Sequence, residues 1–144
     1  MGLFDKLKFS LWDSPGTVVE LLEKWRPRNC KNEKDFELSL QNFLDGQLEG
    51  VPIVRQYAIG RAKADLMIGK RVVVEMKHKF DSTGKYQRLV GQLTEYEKWD
   101  GHIVVILTGE SDRELVKDLK SFLDRMNGAN LESLMSERFR LFEK

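Results

Sequence analysis

The sequence is poor in several things, and each shortage excludes something. Its 144 residues hold one cysteine, Cys30. No intrachain disulfide can form, and no cysteine-ligated zinc or iron–sulfur centre can be built within one chain. A lone thiol fits a reducing compartment, so a cytoplasmic location is expected. No apolar run approaches the roughly 20 residues needed to span a bilayer, and no membrane partner is expected. The opening Met1-Gly2-Leu3-Phe4-Asp5-Lys6 has no signal-peptide apolar region, and Lys6 stands where a myristoylation signal needs Ser or Thr. Net charge is nearly absent: 24 Lys and Arg against 23 Asp and Glu leave +1. A uniformly basic nucleic-acid binder is therefore excluded, and any basic surface must be local.

What is present fits a soluble globular chain, 41% hydrophobic and 33% charged. The length suits one compact domain with a single core. Residues 1–31 read as an N-terminal helical extension and residues 32–144 as the main domain. In the extension, Leu3, Phe4, Leu7 and Leu11 have helical spacing, with Trp12 beside them. This is the one candidate for an exposed apolar patch. Ser14-Pro15 reads as a helix cap with a first-turn proline, and Pro27 ends that helix.

Asn32 caps a second helix running to about Gln47, with Phe36, Leu40, Phe43 and Leu44 as its core stripe. Strands are expected from Val51 to Ile59, Ala62 to Ile68 and Arg71 to Lys79. Phe80 to Lys85 reads as a polar loop and Tyr86 to Trp99 as a helix. His102 to Thr108 is nearly all apolar, as in a strand buried on both faces. Ser111 caps a helix to about Met126, and the tail from Leu131 to Phe142 reads as a last helix. The expected fold is α/β: a mixed central sheet of about four strands, an antiparallel meander plus a parallel strand, flanked by helices.

Strand geometry makes a sharper demand. Side chains alternate faces, so Glu75 and Lys77 share one. Ala64, Leu66 and Ile68 should share a face with Val72, Val74 and Met76. That match requires Ile68 to pair with Val72 across a Gly69-Lys70-Arg71 loop. The same register sets Asp65 opposite Glu75, beside Lys77; a two-residue turn would send Asp65 to the wrong side. Two carboxylates this close repel unless a cation or proton lies between them. Oxygen-only ligands suit Mg²⁺ or Mn²⁺, which also bind phosphate oxygens and acidify water. Lys77 is then placed to assist the attacking water.

With Ala64-Asp65-Leu66 followed by Val73-Val74-Glu75-Met76-Lys77, the chain resembles the PD-(D/E)xK nuclease superfamily, the restriction-endonuclease-like fold. The resemblance runs from about Asn32 to Thr108. It implies a divalent-metal-dependent nuclease in which Asp65 and Glu75 hold the metal, aided by the Met76 carbonyl, and Lys77 assists the nucleophile. Glu37 matches a further acidic residue that many members carry on the preceding helix, implying a second-metal or water-mediated contact. Gln92-Leu93-Thr94-Glu95-Tyr96 resembles the QxxxY motif of the exonuclease-like branch, which implies that Gln92 and Tyr96 orient the site or the substrate strand. No Pro precedes Asp65, a departure at a position that varies widely.

Charge supports a phosphate-bearing partner. Between Arg55 and Arg88 there are nine Lys and Arg against Asp65, Glu75 and Asp81. Arg61, Lys63, Lys79, Lys85 and Arg88 are the candidate contacts to nucleic acid, DNA before RNA. A structure-selective, junction-resolvase-like endonuclease working as a homodimer is one alternative. A non-catalytic binding or assembly module that keeps the fold is another.

Overall fold

The two periods of the sequence, near 3.6 and 2, become four helices and five strands in the computed structural model, which describes residues 15–128 and 137–144. The apolar segment from Leu3 to Trp12, the Ser14 cap and residues 131–136 lie outside the described residues. Helix α1 spans Pro15–Lys24 and α2 Glu33–Gln47. Strands β1 (Ile53–Ile59), β2 (Ala62–Ile68) and β3 (Val72–His78) follow. Then come α3 (Thr83–Tyr96), β4 (His102–Thr108), α4 (Arg113–Asn127) and β5 (Phe139–Glu143).

The strands form one sheet in the order β1-β2-β3-β4-β5. The first three pair antiparallel; β4 and β5 are parallel to β3. Ile68 pairs with Val72, as the apolar pattern requires. Gly69 opens the connecting loop at a φ of 63°, a left-handed conformation open to glycine at little cost. The sheet separates two apolar layers. On one side α1 and α2, with Trp25 just after α1, set Leu22, Leu40 and Leu44 against Leu66, Ile68, Val74 and Met76. On the other, α3 and α4 set Leu89, Leu93, Leu119 and Leu123 against Val73, Val105 and Leu107. Helix α1 thus belongs to the same core as α2.

Four expectations need correction. The tail is not helical at its end: residues 139–143 form a fifth strand. Phe139 and Leu141 pack on one face and Phe142 on the other, a period of two, and β5 completes the second edge of the buried β4. Helix α3 begins at Thr83, inside the expected loop, because the Ser82 side chain accepts from the Lys85 amide. Helix α4 is capped by Asp112 rather than Ser111, the carboxylate accepting from the Glu114 and Leu115 amides. Finally, Ala64 does not share a face with Leu66. Leu66 packs toward α1 and α2, Ala64 toward α3 and α4. The β2–β3 ladder stops at Leu66 and Val74, and the faces exchange just beyond it.

Candidate metal centre and active site

Asp65 stands where β2 parts from β3. Its Oδ2 accepts from the Met76 amide at 2.7 Å, replacing the backbone acceptor that a continued ladder would have offered. Its Oδ1 lies 3.5 Å from Gln56 Nε2. The carboxylate therefore sits in the gap between the strands rather than on a flat face.

Glu75, on β3, is 1% exposed. Tyr96, at the end of α3, donates its hydroxyl to Glu75 Oε2 at 2.7 Å. Lys77 Nζ lies 3.1 Å from Oε1. Burial, and then the Asp65 charge, raise the Glu75 pKa to about 7; Lys77 and the Tyr96 hydroxyl pull the other way. Burial and the Glu75 charge push the Tyr96 phenol well above its ordinary range. Tyr96 is fully buried and its hydroxyl is committed to Glu75. Its expected contact with nucleic acid does not fit this position; it can orient the site through Glu75.

A cluster of three carboxylates lies beside this pair. Glu33, Glu37 and Asp65 each offer an oxygen within 4.8 Å of the others. Glu33 and Glu37 are one turn apart on α2, so they present to the same side. The pKa of Glu37 rises to about 8, through burial and through its hydrogen bond and repulsion with Asp65, while Arg55 opposes the rise. Arg55 lies 3.6 Å from Glu37. Glu33 is also raised, chiefly by burial. Sequence reasoning missed Glu33: the i,i+4 spacing to Glu37 was there to read, but Glu33 looks like an ordinary first-turn acid next to the Asn32 cap.

Asp65, Glu75, Lys77 and Gln92 line a cavity of about 500 Å³, with Arg61 and Lys63 at its rim. The Ile68–Val72 pairing is found, but the Asp65–Glu75 pairing expected from it is not: the ladder ends at Leu66 and Val74, and the two carboxylates meet only as lining of this cavity. Lys77 and Gln92 also border a second cavity of about 200 Å³, where Lys85 and Arg88 lie. Lys79 lines neither. Lys85 is partly committed, its Nζ bonding the Lys79 carbonyl at 2.7 Å and Asp81 at 2.9 Å. The Met76 side chain is buried in the core, and its amide serves Asp65.

The donor set fits a divalent cation. Every candidate ligand atom in the cluster is a carboxylate oxygen, the preference of hard ions. Burial raises the pKa of both Glu33 and Glu37, and repulsion from Asp65 adds to it, as when carboxylates crowd one another. Gln92 lines the same cavity, and its Oε1 is buried with no hydrogen-bond partner.

No protein-family model and no curated protein matches this chain. Among solved structures it is similar to SfsA of Pyrococcus furiosus in complex with Ca²⁺, at 15% sequence identity and a TM-score of 0.46. The match covers 76% of this chain and 54% of that one. The chain thus spans about half the length of that solved chain. Among the described residues, no helix is long and apolar enough to cross a membrane.

Proposed function

We propose that the chain is a divalent-metal-dependent nuclease that hydrolyses phosphodiester bonds of DNA. One observation carries the reading: Asp65 and Glu75 open into a single cavity with Lys77 between that cavity and a second, basic one, while Glu33 and Glu37 crowd Asp65 from α2. A solvated surface does not raise carboxylates in this way, and buried acceptors are rarely left unpaired, as the Gln92 oxygen is.

Asp65, with Glu37 and Glu33, would hold Mg²⁺ or Mn²⁺, and Glu75 faces the same space. Such an ion supplies positive charge to the phosphate oxygens and acidifies a nearby water. Lys77 has its ammonium fixed by Glu75, 3.1 Å away, and carries a charge toward the reacting phosphate. Tyr96 holds Glu75 from behind, so the carboxylate cannot swing off the cleft. Arg61 and Lys63 on one side, with Arg88 and Lys85 on the other, give a phosphate backbone a path across the site. Water adds to phosphorus, the bond to the leaving oxygen breaks, and that oxygen takes a proton.

The test uses linear DNA, circular DNA and RNA with Mg²⁺, Mn²⁺ or EDTA, alongside Lys77→Ala. Cleavage should need the metal and fall by about 10²- to 10⁴-fold in the variant. Cleavage that survives both EDTA and the substitution would sink the mechanism. Loss of linear DNA alone would mark an exonuclease.

A further inference from the structure

Gln56 lies in the middle of β1 with a φ of 52°. Non-glycine residues seldom adopt this left-handed backbone, and inside a strand it is out of place. The residue is exposed, so core packing does not account for it. The consequences fall on the strand pair around it. By register, Arg55 faces Leu66 and Tyr57 faces Ala64, which puts Gln56 across from Asp65. Before this point Ile53 and Leu66 pack toward α1 and α2; after it Tyr57, Ile59 and Ala64 pack toward α3 and α4. Both strands exchange faces at the Gln56–Asp65 pair.

The exchange brings neighbours together that a regular strand would separate. Consecutive side chains point to opposite faces of a sheet. Here Arg55 reaches Glu37 at 3.6 Å and Gln56 reaches Asp65 at 3.5 Å, and those two carboxylates belong to one cluster. Asp65 is contacted at both oxygens, Oδ2 by the Met76 amide at 2.7 Å and Oδ1 by the Gln56 side-chain amide at 3.5 Å, the long end of a hydrogen bond.

The geometry points to Gln56 as the residue that positions Asp65. Its left-handed backbone turns the β1–β2 ribbon at this pair, and its side-chain amide holds the carboxylate that the turn sets free. Glycine would make the turn without strain but would bring no amide. Keeping a glutamine there accepts strain in exchange for the contact. The positioning itself stands on geometry; its effect on metal affinity rests on the metal-dependent reading above.

The experiment compares the full-length protein with Gln56→Gly and Gln56→Asn. Three quantities are read: the melting temperature, the hydrogen exchange of the Met76 amide, and Mn²⁺ affinity by calorimetry. The Met76 amide donates to Asp65, so its exchange reports where that carboxylate is without any metal. Gln56→Gly should melt at or above the wild-type temperature. Its Met76 amide should exchange roughly three- to tenfold faster, with Mn²⁺ bound weaker by a similar factor. Gln56→Asn tolerates the left-handed backbone and keeps an amide, so it should recover part of both. If exchange and affinity in Gln56→Gly equal the wild type, the inference is overturned. If the wild type takes up no Mn²⁺ while Met76 still exchanges faster in Gln56→Gly, the positioning role stands and the metal reading fails.

Discussion

Glu75→Gln tests the electrostatics of the cleft most directly. The wild-type side chain is buried, and its pKa rises from 4.5 to about 7 on folding. Below pH 4.5 the carboxyl is protonated in both folded and unfolded chains and costs nothing. As pH rises toward 7 the unfolded chain ionises first. The folded chain then binds more protons, and stability falls. At about 1.4 kcal/mol per pH unit of separation, the loss above pH 7 is about 3 kcal/mol. Glutamine removes the ionisation but keeps a carbonyl that can accept from Tyr96. Lys77 loses its partner, yet its side chain is 21% exposed and can be hydrated. The assay is urea denaturation of both proteins at pH 5, 6, 7 and 8. The difference between them should move in favour of the variant by about 2.5 kcal/mol from pH 5 to pH 8. Taking the difference cancels Glu33 and Glu37, which titrate in both proteins. A gap that stays constant with pH, or moves the other way, refutes the account of Glu75 as a carboxylate raised by burial.

Three further outcomes are expected. Tyr96→Phe removes a bond to Glu75 and should cost about 1.5–3 kcal/mol at pH 8, where that carboxylate is charged; the cost should shrink at pH 5, and an equal loss at both would contradict the geometry. Asp65→Asn leaves burial, the main cause of the raised Glu37, but removes the hydrogen bond and the charge that add to it, so carbon-detected NMR titration should place Glu37 below 8, with Mn²⁺ uptake down at least roughly tenfold; a Glu37 that still titrates near 8 would show that the two carboxylates are independent. Metal uptake near pH 6 must displace the proton that Glu37 holds, so Mn²⁺ affinity should climb between pH 6 and pH 8 by up to about tenfold per pH unit for each proton released. Calorimetry in buffers of different ionisation heat measures that release, and an affinity flat in pH rules it out.

Local chemistry explains what could be read in the chain. Matching the apolar sets of two neighbouring strands admits one pairing, since a slip of one residue would send each side chain to the other face. That constraint set Ile68 against Val72; Asp65 reaches the cavity of Glu75 because the ladder ends and the strand faces exchange beside it. The Asn32 cap, the β2 and β4 boundaries and the parallel β3–β4 pairing were legible for the same reason: each rests on residues close in sequence or on a covalent connection too short for any other path.

What escaped depended on partners distant in the chain. Phe139–Glu143 is a strand because β4 offers it an edge, and nothing within the segment announces that edge. Glu33 joins the carboxylate cluster only when α2 is laid beside β2. Tyr96 could orient either the site or the substrate strand until α3 buried it with its hydroxyl on Glu75. The turn at Gln56 is the clearest case, because the residue type argues against a left-handed backbone. The order of acid, acid and lysine along two strands was a property of the sequence by itself. The proton-holding crowd around Asp65, and the grip on that carboxylate from β1 and β3, were decided by tertiary structure, because repulsion and burial act through space and have no signature along the chain.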